Sequence, residues 1–109
     1  FSKITKGRKM AKGYWINHVE KILDPERFSQ YVKKWEALVE SGEAKIIVLG
    51  KVARTQIGAT KMHSAVVVEF ETFEKAISFK NDPKYLDALA ELGDDETEVV
   101  IRTSCVVSE

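Results

Sequence analysis

Runs of apolar, aromatic and β-branched residues predict four strands in this chain. Residues 13–22 combine aromatic and β-branched side chains with partial alternation, which favours a strand. Residues 44–56, 64–70 and 97–107 have a similar β-branched character, and Gly50 inside the second of these strands suggests a bulge or a close backbone approach. The stretch 64–70 is the most apolar, so we expect it at the centre of a sheet.

Helical spacing follows the first and third strands. Asp24-Pro25 is a typical helix start, because Asp accepts hydrogen bonds from free amides and Pro has the φ of the first helical position. Apolar residues then recur at steps of three and four, at Phe28, Tyr31, Val32, Trp35, Leu38 and Val39. This helix is expected to end near Ser41-Gly42.

The second helical region is predicted in two pieces. Thr72 can cap a helix whose inner face is Phe73, Ala76 and Ile77. Asp82-Pro83 starts a further piece that continues to Leu92 and closes at Gly93.

The resulting order, β-α-β-β-α-β, predicts an α+β, ferredoxin-like fold: a four-stranded antiparallel sheet with both helices on one face. The uncovered face would be apolar and would need a partner, and a second copy of the chain is the simplest one. Two sheets packed face to face would form a dimeric α/β barrel with cavities for a small ligand.

Composition narrows the class of protein. With 109 residues, 44% hydrophobic and 31% charged, the chain has the size and composition of one ordinary globular domain. No apolar run approaches the ~18 residues of a membrane-spanning helix, so we expect no membrane partner. The single cysteine, Cys105, excludes an internal disulfide and is expected to be a small buried residue in a cytoplasmic protein.

The charges are unevenly distributed. Residues 1–12 hold five basic residues and no acid, which leaves 12 basic against 17 acidic residues from position 13 onward. A domain with that balance lacks the basic surface of a nucleic-acid-binding protein. We interpret residues 1–10 as a basic N-terminal extension or tag remnant before a single domain at 11–109, with Met10 as a candidate initiator. A native extension or the end of a processed targeting peptide, which would imply organellar import, are the alternatives.

Several motifs together resemble one known family. They are Lys12-Gly13-Tyr14-Trp15-Ile16, Val19, Asp24-Pro25-Glu26 with Phe28 and Tyr31, Val66-Val67-Val68-Glu69-Phe70, and Asp82-Pro83-Lys84-Tyr85. From residue 11 to about 107 the chain resembles the family called domain of unknown function 1330. The resemblance implies a dimeric α/β barrel of the ferredoxin-like superfamily, whose members include cofactor-independent monooxygenases, haem-degrading enzymes, polyketide cyclases and binding proteins.

The chain also departs from that family. Ile57, Ser64 and Leu92 stand where members commonly carry an acidic residue and two arginines. An activity that depends on those polar positions is therefore in doubt, and an apolar or differently shaped pocket is favoured.

Two residues are candidates for catalysis, His18 and Glu69. Glu69 is a carboxylate in an apolar strand, with His18 or Arg102 as candidate partners. A His–Glu pair could remove a proton next to a carbonyl or phenol. The alternative interpretation is that Glu69 is hydrated near a strand end and that His18 is an ordinary interface residue.

Ligand binding has a wider set of candidates, namely Tyr14, Trp15, Asn17, Tyr85 and Arg102. Aromatic side chains with polar tips suit a flat apolar ligand, although the same residues also serve as core. The strand at 13–22 places Tyr14, Ile16 and His18 on one face and Trp15, Asn17 and Val19 on the other, and either face could line a cavity.

No cofactor or metal is expected. His18, His63 and Cys105 have no diagnostic ligand spacing, although haem ligation by His63 stays an alternative. Gly42, Gly50 and Gly58 do not form a phosphate-binding loop.

Three functions are therefore considered. The preferred one is a homodimer that binds a small apolar or aromatic carbonyl compound. The second is a cofactor-independent monooxygenase, cyclase or isomerase with His18 or Glu69 as base. The third is a non-catalytic interaction or stress-related protein whose interior is filled by side chains and has no cavity.

Overall fold

The computed structural model describes residues 11–109 and contains the six expected elements in the expected order. The strands are β1 (Gly13–Ile22), β2 (Lys45–Lys51), β3 (Ser64–Phe70) and β4 (Val100–Ser108). The helices are α1 (Pro25–Glu40), α2 (Phe73–Ser78) and α3 (Pro83–Leu89), with short 3-10 segments at Phe79–Asn81, Ala90–Leu92 and Glu96–Glu98. The interpretation of residues 1–10 lies outside the described residues.

All strand pairs are antiparallel and the sheet order is β2-β3-β1-β4. This order places β3, the most apolar strand, in the centre of the sheet as expected, with β1 beside it. In β1, Trp15 and Val19 are buried under the helices, whereas His18 on the opposite face is exposed. The helices of residues 11–109 therefore cover one face of the sheet, and none of them covers the other, which we call the open face.

The helix boundaries follow from capping groups that the sequence displays. The side chains of Asp24, Thr72 and Asp82 accept hydrogen bonds from the backbone amides of Arg27, Lys75 and Lys84 at 3.2, 3.0 and 2.8 Å. Gly93, with φ of 81°, ends the second helical region in the left-handed conformation that glycine adopts without strain. These predicted starts and stops are confirmed.

Three local predictions are wrong. β2 ends at Lys51 rather than at 56, and its bulge lies between Ile46 and Val48 rather than at Gly50. β4 begins at Val100 rather than at 97, because the Asp95 carboxylate accepts hydrogen bonds from both the amide and the hydroxyl of Thr97 and stabilises a 3-10 turn there.

The inner face of α2 also differs from the prediction. Ile77 is 49% exposed, whereas Phe79 is fully buried. The α-helix ends at Ser78 and tightens into a 3-10 turn, which shifts the angular position of the following side chains. Phe79 lies three residues after the buried Ala76, on the same side of the helical segment, and takes the core position that was predicted for Ile77.

An aromatic cluster joins the helices to the sheet. The ring centroid of Trp15 lies 5.1 Å from that of Tyr85, 5.2 Å from Phe70 and 5.6 Å from Trp35. The contacts with Tyr85 and Trp35 are edge-to-face, the geometry that aromatic quadrupoles favour. The Trp15 indole N–H also donates to the Ala76 carbonyl oxygen at 2.7 Å, which fixes α2 against β1.

Close approach of α2 to β1 makes Gly13 intolerant of a side chain. A Cβ at Gly13 would lie 2.6 Å from the Cβ of Ala76 and 2.8 Å from the Cα of Phe73, whereas a Cβ at Gly50 would have no neighbour within 4 Å. We expect Gly13→Ala to lower the free energy of unfolding by about 1–3 kcal/mol. Gly50→Ala, the matched control, should change it by less than about 0.5 kcal/mol in urea denaturation. Equal stability of the two variants would contradict the described packing of α2.

Candidate functional site

A cavity of about 100 Å³ lies between α1 and the helix-covered face of the sheet. One wall is apolar and is formed by Ile46 and Leu49 of β2 with Val66 and Val68 of β3. Leu49 is 68% exposed, so the cavity opens to solvent beside the edge strand β2. The sequence predicted a cavity between two open sheet faces, whereas this cavity lies on the helix-covered face.

The opposite end of the cavity is polar. Asn17 of β1 and Arg102 of β4 line it together with Tyr31 of α1. Asn17 is paired with Ser104 and Val19 with Arg102, so Asn17 and Arg102 are diagonal neighbours on the same face of the sheet. The cavity therefore has an apolar end near β2 and a hydrogen-bonding end near β4.

Arg102 is held by two elements at once. Its Nε and Nη2 donate to the two carboxylate oxygens of Glu96 at 2.5 and 2.9 Å, and its Nη1 donates to the Tyr31 hydroxyl oxygen at 3.0 Å. Burial by itself would lower the pKa of Arg102, but the hydrogen bonds of Glu96 and the neighbouring tyrosine oxygens outweigh it and raise that pKa above its ordinary value. The guanidinium is therefore charged and fixed in orientation.

The Tyr31 hydroxyl connects the polar end to the core. Its oxygen accepts from Arg102 and from the Trp35 indole N–H at 2.9 Å, which uses both of its lone pairs. Its own proton is therefore donated to the Tyr85 hydroxyl oxygen at 3.1 Å. Burial is the main cause that raises the pKa of Tyr85 above the ordinary value of a tyrosine, and the adjacent Tyr31 hydroxyl raises it further.

Asn17 is buried beside this network. Its side-chain amide nitrogen donates to the carbonyl oxygens of Val66 and Trp15 at 3.1 and 3.4 Å. These bonds fix the orientation of the amide group, and within residues 11–109 its Oδ1 accepts no hydrogen bond. That oxygen is available to a donor on a ligand.

The remaining predicted ligand-binding residues occupy different places. Trp15 lines the cavity with its ring, which also belongs to the aromatic cluster. Tyr85 is buried behind Tyr31. Tyr14 is on the open face opposite Glu69, and partial desolvation followed by the charges of Glu109 and Glu69 raises the pKa of its hydroxyl.

The structure does not bring the two candidate catalytic residues together. His18 is paired with Ala65 and Glu69 with Tyr14, so the two lie four residues apart along the sheet, roughly 13 Å at ~3.4 Å per residue. The partner of Glu69 is Lys12 at 3.4 Å, and Arg102 is on the opposite face of the sheet. Neither His18 nor Glu69 lines the cavity under α1.

Cys105 is exposed in this chain, and the expectation that it is buried is wrong. It is paired with Ile16 at the open face, which no helix of the described chain covers. Within residues 11–109, no group of three or more His, Cys, Asp or Glu side chains converges as a metal site. None of the helices there is long and apolar enough to cross a membrane.

Tyr31 and Glu96 were not among the predicted site residues. Tyr31 stands in the apolar stripe of α1, where a polar tip among core positions was the available signal. Glu96 belongs to the acidic loop before β4, six residues ahead of Arg102. Only the 3-10 turn at Glu96–Glu98 brings it to the guanidinium, and that turn could not be read from periodicity.

The raised pKa of Tyr85 predicts a specific dependence of stability on pH. A tyrosine with a raised folded-state pKa contributes stability that is present below the unfolded value of 10.0 and is lost as pH rises above it. At pH 8, Tyr85→Phe should cost about 1 kcal/mol, because Tyr31 loses its acceptor. At pH 11 the wild-type protein should have lost about 1.4 kcal/mol through this group, so that the difference closes. Urea unfolding of both proteins at the two pH values measures it, and a constant difference would contradict the assignment.

Comparison with solved structures confirms the fold. A protein of unknown function from Rhodopseudomonas palustris matches with a TM-score of 0.67 at 13% identity, covering 100% of this chain and 90% of that one. A dimeric ferredoxin-like protein of unknown function from Thermobifida fusca matches with a TM-score of 0.61 at 15% identity, covering 96% and 97%. At this identity the likeness concerns the fold, which is the α+β, ferredoxin-like arrangement expected from the sequence. A search of curated proteins gives no significant match.

The family model described as domain of unknown function 1330 matches residues 12–103, which include β1 to β3, the first residues of β4, every helix and each lining residue of the cavity. The chain therefore belongs to the domain of unknown function 1330 family, as its motifs indicated.

Proposed function

We propose that the protein is a homodimer joined through its open sheet faces, and that each subunit binds a small apolar or aromatic carbonyl compound in the cavity under α1. The observation that carries the binding proposal is the polarity of this cavity, with an aliphatic wall from β2 and β3 and fixed hydrogen-bonding groups at its β4 end. Binding sites of small molecules commonly combine apolar walls with a few oriented polar groups.

The size of the cavity limits the ligand. Its volume of about 100 Å³ is of the order of the ~150 Å³ that holds one benzene ring. A ring or short branched chain therefore suits the apolar end. Its carbonyl oxygen would accept from Arg102, and a donor on the ligand would bond to Asn17 Oδ1.

Binding is preferred to the other two functions for separate reasons. The candidate bases His18 and Glu69 lie across the sheet from the cavity, which disfavours an enzyme that uses either of them there. A filled interior without a cavity is the expectation for a purely structural protein, and the space under α1 argues against it.

The dimer proposal rests on the composition of the open face. The strand register places Ile16, Val67 and Cys105 side by side at its centre, with Val48 and Val107 at its margins. Val48 and Val107 are 51% and 41% exposed in the single chain. An apolar sheet face of this kind is stable when a second sheet covers it, and the Thermobifida fusca neighbour is dimeric.

The dimer is tested by a charge at the centre of the open face. We expect the wild-type protein to sediment with about twice the chain mass of 12.3 kDa and Ile16→Glu to sediment as a monomer. Ile77→Glu is the matched control, because Ile77 is 49% exposed on α2 at the other side of the sheet. A monomeric wild-type protein, or an Ile16→Glu variant that remains dimeric, would contradict the proposed interface.

Filling the cavity tests the binding site. Benzamide, one ring with a carbonyl and an amide donor, is the probe, and calorimetric titration measures its affinity. Val66→Phe should weaken binding at least about tenfold, because its ring would occupy the cavity that Val66 lines. Val106→Phe is the matched control, since Val106 is 42% exposed and lies outside the cavity. Equal binding by both variants would place the probe elsewhere, and no binding by the wild-type protein would contradict the proposed function.

A further inference from the structure

Glu96 contacts the ligand-binding end of the cavity only through Arg102. Its carboxylate accepts both Nε and Nη2 of the guanidinium in a bidentate arrangement, but Glu96 itself is not part of the cavity lining. The 3-10 turn at Glu96–Glu98 therefore places a negative charge directly behind the cation that lines the cavity.

This arrangement separates the hydrogen-bonding capacity of Arg102 from its charge. A guanidinium has five N–H bonds, of which two go to Glu96 and one goes to Tyr31. One N–H on each terminal nitrogen is left within the described residues. Because the charge is already compensated by Glu96, a second anion gains little attraction there and would lose its hydration shell.

Glu36, the second charged residue at the cavity, also disfavours an anionic ligand. Among the lining residues of the described chain, Arg102 is the only cation and Glu36 the only anion. A carboxylate that enters would therefore meet the charge of Glu36 at the lining and that of Glu96 behind Arg102. A neutral carbonyl oxygen would meet the same N–H donors without these repulsions.

We propose that Glu96 determines the charge selectivity of the site, so that the cavity takes a neutral carbonyl compound, such as an amide, ketone or ester, and excludes the corresponding carboxylate. This inference rests on the proposed binding function and adds a positioning residue to it. Removal of the Glu96 charge should expose the positive charge of Arg102 to the cavity and convert the site into one that accepts carboxylates.

The test compares benzamide with benzoate, which share the ring and differ in the charge of the head group at pH 7.5. Both are titrated into the wild-type protein, Glu96→Gln and Glu98→Gln. Glu98→Gln is the matched control, because it removes the same charge two residues away and Glu98 makes no ion pair within the described residues. Near-ultraviolet circular dichroism of the tryptophan cluster verifies that each variant retains the fold.

We expect the wild-type protein and Glu98→Gln to bind benzamide at least about tenfold more tightly than benzoate. Glu96→Gln should bind benzoate at least about tenfold more tightly than the wild-type protein does. If the wild-type protein bound benzoate more tightly than benzamide, that result alone would overturn the inference.

Failure of the inference differs from failure of the binding function. Benzamide binding by the wild-type protein together with an unchanged benzoate affinity in Glu96→Gln would overturn the role of Glu96 alone. A gain of benzoate affinity in Glu98→Gln equal to that in Glu96→Gln would assign the effect to overall charge and also overturn it. If none of the three proteins bound either probe, the proposed function and this inference would both be wrong.

Discussion

The arrangement of the site depends on the burial of one guanidinium. Removing a charge from water is costly unless hydrogen bonds and an opposite charge replace the hydration, and Arg102 obtains both from Glu96 and Tyr31. These partners come from the turn before β4 and from α1, so the requirement to satisfy one side chain ties three elements together. The polar end of the cavity lies where they meet.

The aromatic cluster lies directly beside the cavity, since Trp15 and Trp35 belong to both. The rings of Trp15, Trp35 and Tyr85 are buried and meet at edge or tilted angles. The indole N–H of Trp15 donates to the Ala76 carbonyl oxygen, and the polar atoms of Trp35 and Tyr85 are hydrogen-bonded to the Tyr31 hydroxyl. Within the described residues, every buried side-chain nitrogen or oxygen atom has a partner, and the Oδ1 atom of Asn17, which accepts no bond there, is accessible rather than buried. The core is thus satisfied on its own, and the adjoining cavity can remain open without leaving a buried polar atom of the core without a bond.

Local sequence signals predicted the elements because they depend on local physics. Asp24 and Asp82 act through amides two or three residues away, and Gly93 acts through its own φ, so each is visible in a short window. Contacts across long separations were not visible in this way. The contact between Tyr31 and Arg102, which are separated by 71 positions, decides the site, and the 3-10 segments at Glu96 and Phe79 decide the rest of the site and part of the core.

The same limit applies to the two faces of the sheet. Alternation in β1 separated His18 from Asn17 correctly, but it could not tell which side the helices cover. That side is set by the packing of Trp15 against α1, α2 and α3, which is a property of the whole fold. Placement of the cavity therefore required the structure.

The position of the ligand site is tested by two-dimensional ¹H–¹⁵N nuclear magnetic resonance during a benzamide titration, which locates the bound probe. We expect the side-chain signals of Asn17, Trp35 and Arg102 to shift together, since these groups surround the cavity under α1. The backbone signals of Thr103 and Cys105, whose side chains face the open side, should move much less. Shifts confined to the open face, with Asn17, Trp35 and Arg102 unchanged, would contradict the central claim that the ligand site lies between α1 and the sheet.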